Sequence, residues 1–310
     1  MNKTIEVTIE QTEDSLALKA VLSKSVGLSR REISRLKFTN GILLNGENCR
    51  ITEIVHTGDV VTLTFTEKDL PHVIRMTGKP EILYEDEDLV IVNKPAGMVC
   101  HPSHEHLDDD MGTVLQNYYG SHFTIRAIGR LDKDVSGLMV YAKNQPAASR
   151  LSAQRSKEEL HKVYHAIVEG ILEKKKGTLE YSLIRQEGTK QRLISKDGQK
   201  CITHYKVLKE FDTYSLVEIS IETGRTHQIR AGMANAGHPL CGDVLYGGST
   251  DLISRPALHC AVLDLKQPFK NTPIHIELEE AEDMKKLLKN SKHLELILKK
   301  FLSRNIKKAP

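Results

Sequence analysis

The segment Arg126-Ala127-Ile128-Gly129-Arg130-Leu131-Asp132-Lys133-Asp134-Val135-Ser136-Gly137 sets two carboxylates among three cations, in a loop with glycines near both ends. Glycine reaches backbone angles that other residues resist, so such a loop can hold one side chain in a fixed direction. Asp132 is the side chain to present. Arg130 and Lys133 flank it and favour the ionised carboxylate that a nucleophile or base requires. Solvated, salt-bridged turns carry the same charge pattern, so the pattern alone leaves both readings open. Farther along, Thr223-Gly224-Arg225-Thr226-His227-Gln228-Ile229-Arg230 turns into a helix. His227 and Arg230 are three apart and share a face, while Ile229 and Met233 share the core face. A helix start with Arg225 beside it is a natural phosphate site.

The elements that must position these groups are legible around them. Leu138 to Lys143 is an apolar run expected to be a buried strand. Lys162-Val163-Tyr164-His165-Ala166-Ile167-Val168-Glu169-Gly170 is a further strand carrying Tyr164, which strand propensity alone would make a core tyrosine. Ile82 to Lys94 reads as strand, acidic turn and buried strand, with Pro95 to Gly97 as a turn. Gly112 to Tyr119 starts a helix, Ser149 to Leu160 is a second helix, and strands are expected over 203–208 and 216–222. The basic stretch 183–199 is either a hairpin over a polyanion or a solvated loop. Gly237 and Pro239 stop the helix that begins near His227.

The chain has 310 residues, 39% hydrophobic and 27% charged, which suits two globular domains. Net charge is only +3, so affinity for nucleic acid must come from local patches. There is no Trp, which leaves stacking on a base to Tyr, Phe, His or Arg. Five scattered cysteines argue for reduced thiols in the cytoplasm, and against a disulfide frame or zinc site. His101, His104 and His106 match no standard zinc spacing, so no metal is expected. The polar N-terminal stretch is no signal peptide, and no apolar run spans a bilayer.

The first 70 residues form a separate module. Ile5, Val7 and Ile9 alternate as in a half-buried strand. Leu16, Ala20 and Val21 have helical spacing. Ser29 and Glu32 form a capping box that starts a helix with Ile33 and Leu36 on its buried side. Arg30, Arg31, Arg35 and Lys37 form its basic edge. Asn45-Gly46 is a tight turn, and Val60 to Leu63 a strand. Residues 71–80 are expected to be a linker. Met284 to Lys308 reads as an amphipathic, Lys-rich helix forming a solvated flank.

Six strings carry a resemblance. GRLDKDVSGLMVYAK resembles the catalytic motif of the RluA/RluD-type pseudouridine synthases, with Gly129 for the usual histidine and Val135 for the usual threonine. Lys162 to Gly170 is similar to the family's K-x-Y-x-A-x-V-x-G motif, and ETGRTHQIRAGMANAGHPLCGDVLYG to its third motif, with Gly232 where many members have histidine. YEDEDLVIVNKPAGMVCHP resembles the family's opening. LSRREISRLKFTNGILLNG and HTGDVVTLTF resemble the small RNA-binding domain first described in ribosomal protein S-four, although Ser15-Leu16-Ala17 replaces that domain's usual Arg-Leu-Asp start.

The resemblance implies an α+β fold: a small α/β RNA-binding domain over 1–70, then a catalytic domain over 81–310. The latter is a mixed, mostly antiparallel sheet with flanking helices and a central cleft. It implies that Asp132 is the essential aspartate, that Tyr164 packs on the target base and donates a hydrogen bond, and that Arg230 pairs with Asp132. Arg130 would fill the gap left by the departing base. Leu131, Lys94, Arg225, His227 and Gln228 would surround the substrate. The implied activity is isomerisation of uridine in large-subunit ribosomal RNA, with transfer RNA as second substrate class. No cofactor and a monomer are expected. A silent RNA-binding assembly factor and a glycoside hydrolase are the rivals.

Overall fold

The computed structural model describes residues 3–65, 79–102, 110–120, 124 and 126–289. Most of the expected linker, His104 and His106, and the stretch 290–308 of the expected last helix lie outside them.

The first unit is a four-stranded sheet in the order β1-β4-β2-β3 with two helices. Its strands are β1 (Lys3–Thr8), β2 (Ile42–Leu44), β3 (Glu47–Asn48) and β4 (Val60–Phe65), and its helices α1 (Leu18–Lys24) and α2 (Arg30–Phe38). The capping box is present at the start of α2: the Ser29 side chain accepts from the Glu32 N–H and the Glu32 carboxylate accepts from the Ser29 N–H. Leu16 departs from expectation. It lies before α1 and is 39% exposed, because Ser15 takes a left-handed φ of 60° and delays the helix to Leu18. Leu18, Val21 and Leu22 form the buried stripe instead.

The second unit is an eleven-stranded, mostly antiparallel sheet. Its elements are β5 (Glu81–Glu85), β6 (Leu89–Lys94), α3 (Met111–Tyr119), β7 (Ala127–Ile128), β8 (Ser136–Ala142), α4 (Gln145–Ser156), β9 (His161–Glu169), β10 (Lys176–Arg185), β11 (Arg192–Ile194), β12 (Gln199–Glu210), β13 (Tyr214–Ile221), α5 (Gln228–Asn235), β14 (Leu258–Lys266) and β15 (Pro273–Glu277). The main path runs β11-β10-β12-β13-β9-β14-β8-β6-β5, with β15 on β14 and β7 on β8. Every residue of β8 is buried, as its apolar run requires. It meets β14 in the one parallel pairing between named strands of the described sheet. Gly137 has φ 110°, and a Cβ there would come within 2.3 Å of the Cys260 carbonyl, so only glycine lets these strands meet.

Two helices differ from expectation. α4 begins at Gln145 rather than Ser149, because Asn144 caps it by accepting from the Ala147 N–H and Pro146 sits in its first turn. Residues 282–289 are helical, but Met284 and Leu287 are buried beside Phe211 and Tyr214. The described part of that segment, residues 282–289, is therefore a packed element rather than a solvated flank. α4 also touches the first unit: the Glu32 carboxylate accepts from Ser149 and, at 3.4 Å, from Gln145.

Candidate active site

Asp132 lies in the loop between β7 and β8, where its carbonyl accepts from the Val135 N–H at 3.1 Å to close the turn. Gly129 opens the loop with φ 79°. The loop is gripped from behind on both sides of Asp132. The Cys100 thiol accepts from the Leu131 N–H at 3.2 Å and lies 3.3 Å from the Leu131 carbonyl as donor. The Lys94 ammonium donates to the carbonyls of Lys133 (3.0 Å), Pro95 (2.8 Å) and Met98 (2.6 Å).

An ammonium has three N–H donors, and all three of Lys94 are spent on carbonyls. Lys94 is also fully buried. It was expected at the substrate; the structure makes it a prop beneath the loop. Burial pushes its pKa down to about 8, against the opposing pull of Cys100, Asp134 and Asp132. Between about 8 and its ordinary value the unfolded chain binds a proton that the folded chain does not, so stability from this group rises with pH. Turnover should move the other way, because loss of the proton removes a donor from the loop. The expected result is a kcat that falls through an apparent pKa near 8 without a parallel loss of Tm, and a Lys94→Met variant with low kcat and no such limb. A wild-type profile flat from pH 7 to 9.5 would contradict it.

Arg230 comes from α5. Its Nε and Nη2 each lie 2.7 Å from a carboxylate oxygen of Asp243, a bidentate pair. Its remaining Nη1 points at Asp132 Oδ2, 3.5 Å away. Burial opposes the charge on Arg230, but the hydrogen bonds and charge of Asp243 outweigh it and hold the guanidinium ionised. His227 caps α5 in the left-handed region, at φ 57° and ψ 19°, with its Nε2 3.8 Å from the same Asp132 oxygen. Its Nδ1 is 3.1 Å from the Tyr246 hydroxyl, which itself accepts from the Arg192 N–H at 2.8 Å. With that hydroxyl donating to Nδ1, the Nε2–H faces Asp132. Burial lowers the His227 pKa, with Asp132 pulling it up and Arg230 pushing it down, so the ring is neutral at pH 7.

Tyr164 lies on β9 and lines the same cleft, about 940 Å³ in volume, together with Arg130, Leu131, Asp132, Arg225, His227 and Arg230. Burial, then the charges of Cys260 and Asp132, raise its pKa well above the ordinary phenol value. It is a hydrogen-bond donor at neutral pH and not a base. Gln228 lines the cleft but is used inward. Its carbonyl oxygen accepts from the Arg225 N–H (3.1 Å) and the Thr223 hydroxyl (2.9 Å), and its amide donates to the Ile202 carbonyl (3.0 Å) and Thr203 hydroxyl (3.1 Å). These bonds fix the turn into α5. Arg130 and Arg225 are exposed at the cleft, and Leu131 is buried. Arg30, Arg31, Arg35 and Lys37 are exposed on α2. Asp243 and Tyr246, which orient Arg230 and His227, were not singled out in the sequence, although the string Gly-Asp-Val-Leu-Tyr-Gly carries both.

A family profile described as RNA pseudouridylate synthase matches residues 88–235. An uncharacterized RNA pseudouridine synthase of Bacillus subtilis, YhcT, is 36% identical over 289 residues, covering 91% of this chain and 96% of the relative. The chain belongs to the RNA pseudouridine synthase family. A ribosomal large subunit pseudouridine synthase D of Xylella fastidiosa is 33% identical to this synthase, with 84% of each chain covered. The structure named Human RNA Pseudouridylate Synthase Domain Containing 4 shares the fold at a TM-score of 0.58 and 21% identity, over 68% of this synthase and 93% of that chain. Among the described residues of the synthase no helix is long and apolar enough to cross a membrane, and no group of three His, Cys, Asp or Glu side chains is placed to hold a metal.

The helix that carries Arg230 depends on a missing side chain. A Cβ on Gly232 would lie 2.2 Å from the Tyr181 hydroxyl, which donates to the Gln228 carbonyl at 2.7 Å. Gly232→Ala in the synthase should therefore cost about 1–3 kcal/mol by overpacking, read as a lower urea midpoint. Tyr181→Phe in the same chain should restore part of the loss by removing the colliding oxygen. An unchanged midpoint in the single variant would contradict this packing.

Proposed function

We propose that the protein isomerises uridine to pseudouridine in large-subunit ribosomal RNA, with Asp132 as the essential carboxylate. The observation that carries this reading is the placement of Asp132: on a clamped loop, in a cleft, 3.5 Å from a guanidinium already paired to Asp243. The relative named ribosomal large subunit pseudouridine synthase D supports the choice of RNA.

In this reading the bond between the ribose C1′ and uracil N1 breaks, the base turns, and a C1′–C5 bond forms while the C5 proton is lost and N1 gains one. The sugar passes through an electron-poor stage. Asp132 acts on it by adding to C1′ or by taking the C2′ proton; either needs an ionised carboxylate beside the anomeric carbon. The buried Arg230 sets a positive charge beside that carboxylate and orients it. Tyr164 donates a hydrogen bond to the detached uracil, as its protonated phenol permits. The uridine leaves its helix first, which costs a few kcal/mol, and contacts along the RNA backbone offset this. Arg130 fills the vacated space. The first 70 residues act as an S-four-like RNA-binding domain, with Arg30, Arg31, Arg35 and Lys37 gripping phosphates.

The test is a map of pseudouridine in ribosomal and transfer RNA from cells with the gene deleted and restored. The expected result is loss and return of pseudouridine at a position in large-subunit ribosomal RNA. Loss confined to transfer RNA would move the substrate assignment. An unchanged map together with free uracil released by the purified protein would replace isomerisation with hydrolysis.

A further inference from the structure

Arg155 sits at the cleft and has no part in the chemistry above. It lies in the last turn of α4, is exposed, and lines the cleft with Asp132. Its guanidinium bridges two loops. The Cζ lies 3.7 Å from where a Cβ on Gly129 would be, and Nη2 lies 3.1 Å from where one on Gly224 would be. Gly129 opens the Asp132 loop, and Gly224 precedes Arg225 in the turn into α5. Two positions without side chains thus leave room for one guanidinium across the mouth of the cleft. Among the described residues no hydrogen bond or ion pair occupies its side chain.

An unpaired cation held over two backbones, in a protein of net charge only +3, is a local concentration of positive potential. When a nucleotide is extruded, its base enters the cleft and its phosphates stay at the mouth. A guanidinium's planar fork suits a phosphate better than a point-like ammonium does.

We propose that Arg155 is a substrate-binding residue that clamps a backbone phosphate next to the extruded uridine, with Arg225 as its neighbour on the far loop. This rests on the function proposed above. Arg155 touches the RNA backbone only, so it governs binding and leaves the chemical step alone.

The experiment uses the full chain with Arg155→Ala and Arg155→Lys, and large-subunit ribosomal RNA from cells lacking the gene as the probe. Binding is measured across a range of salt, and turnover at one salt. The alanine variant should flatten the slope of log Kd against log salt by about 0.7–0.9, the share of one phosphate contact. Its KM should rise roughly tenfold while kcat stays within about threefold, the pattern of a lost uniform binding contact. The lysine variant should recover the slope, because the charge returns, and only part of KM, because the fork does not. A salt slope equal to wild type in the alanine variant would overturn the proposal. So would a drop in kcat at unchanged KM. The slope needs binding alone, so an absence of pseudouridine in wild-type reactions would count against the proposed function and still leave Arg155 decided. A wild-type protein that does not bind this RNA would overturn both.

Discussion

Asp132→Asn should abolish pseudouridine formation, lowering kcat by on the order of 10⁴-fold, the scale seen when a nucleophile or its essential partner is removed. The amide is nearly isosteric, and the backbone on both sides of it is held by Cys100 and Lys94, so the loop keeps its shape. The amide cannot add to C1′ as an ionised carboxylate can, nor take the C2′ proton. RNA binding should stay within a few-fold of wild type and can tighten, because a negative charge at the cleft has been removed. Product formation by single-turnover assay and Kd by filter binding separate the two effects. Turnover within tenfold of wild type would remove Asp132 from the mechanism.

Asp243→Ala should lower stability and turnover together. The Arg230–Asp243 pair is almost without solvent contact, with side-chain exposures of 8% and 1%. Breaking such a pair leaves a buried charge uncompensated, at a cost of about 3–5 kcal/mol. At a few degrees per kcal/mol for a unit of this size, Tm should fall on the order of 10 °C. Arg230 would then have Asp132 as its nearest carboxylate, and the 3.5 Å approach should shorten into a direct ion pair. A carboxylate drawn off its reacting position loses about 10²-fold in rate. Arg230→Met with Asp243→Leu offers the contrasting case: apolar replacement of both partners should recover stability, while kcat stays low because no guanidinium is left to orient Asp132. Recovery of kcat in the double variant would show that Arg230 serves the fold alone.

The residues assigned to the site were legible through the resemblance rather than through spacing. The charge pattern alone left Asp132 open between a salt-bridged turn and a presented carboxylate, and the strand alone made Tyr164 a core residue; only the motif strings single out these two and Arg230. Their supports were not legible. Asp243 reaches Arg230 across a turn that no periodicity describes, and the acid is recognisable only by its burial. Arg155 lies inside the helix expected over 149–160, but no periodicity shows that its guanidinium meets two loops from distant parts of the chain. The position of Lys94 near the loop was legible, but not that it lies beneath it with every donor spent. The end of the described chain was misread for a related reason: Met284 and Leu287 are too sparse among lysines and acids to announce a buried face.

The order of strands was the least legible feature, and it has a consequence for how the protein is made. β8, which follows the Asp132 loop, and β9, which bears Tyr164, are not neighbours; β14 lies between them and bonds to both. β14 begins at Leu258, far beyond either. While the ribosome is still synthesising the chain, the two walls of the cleft have no shared backbone ladder until that late strand has emerged and inserted. A nascent chain halted before Leu258 would carry Asp132, Tyr164 and Arg230 without the strand that joins the two walls, so the cleft cannot be completed before β14 is made.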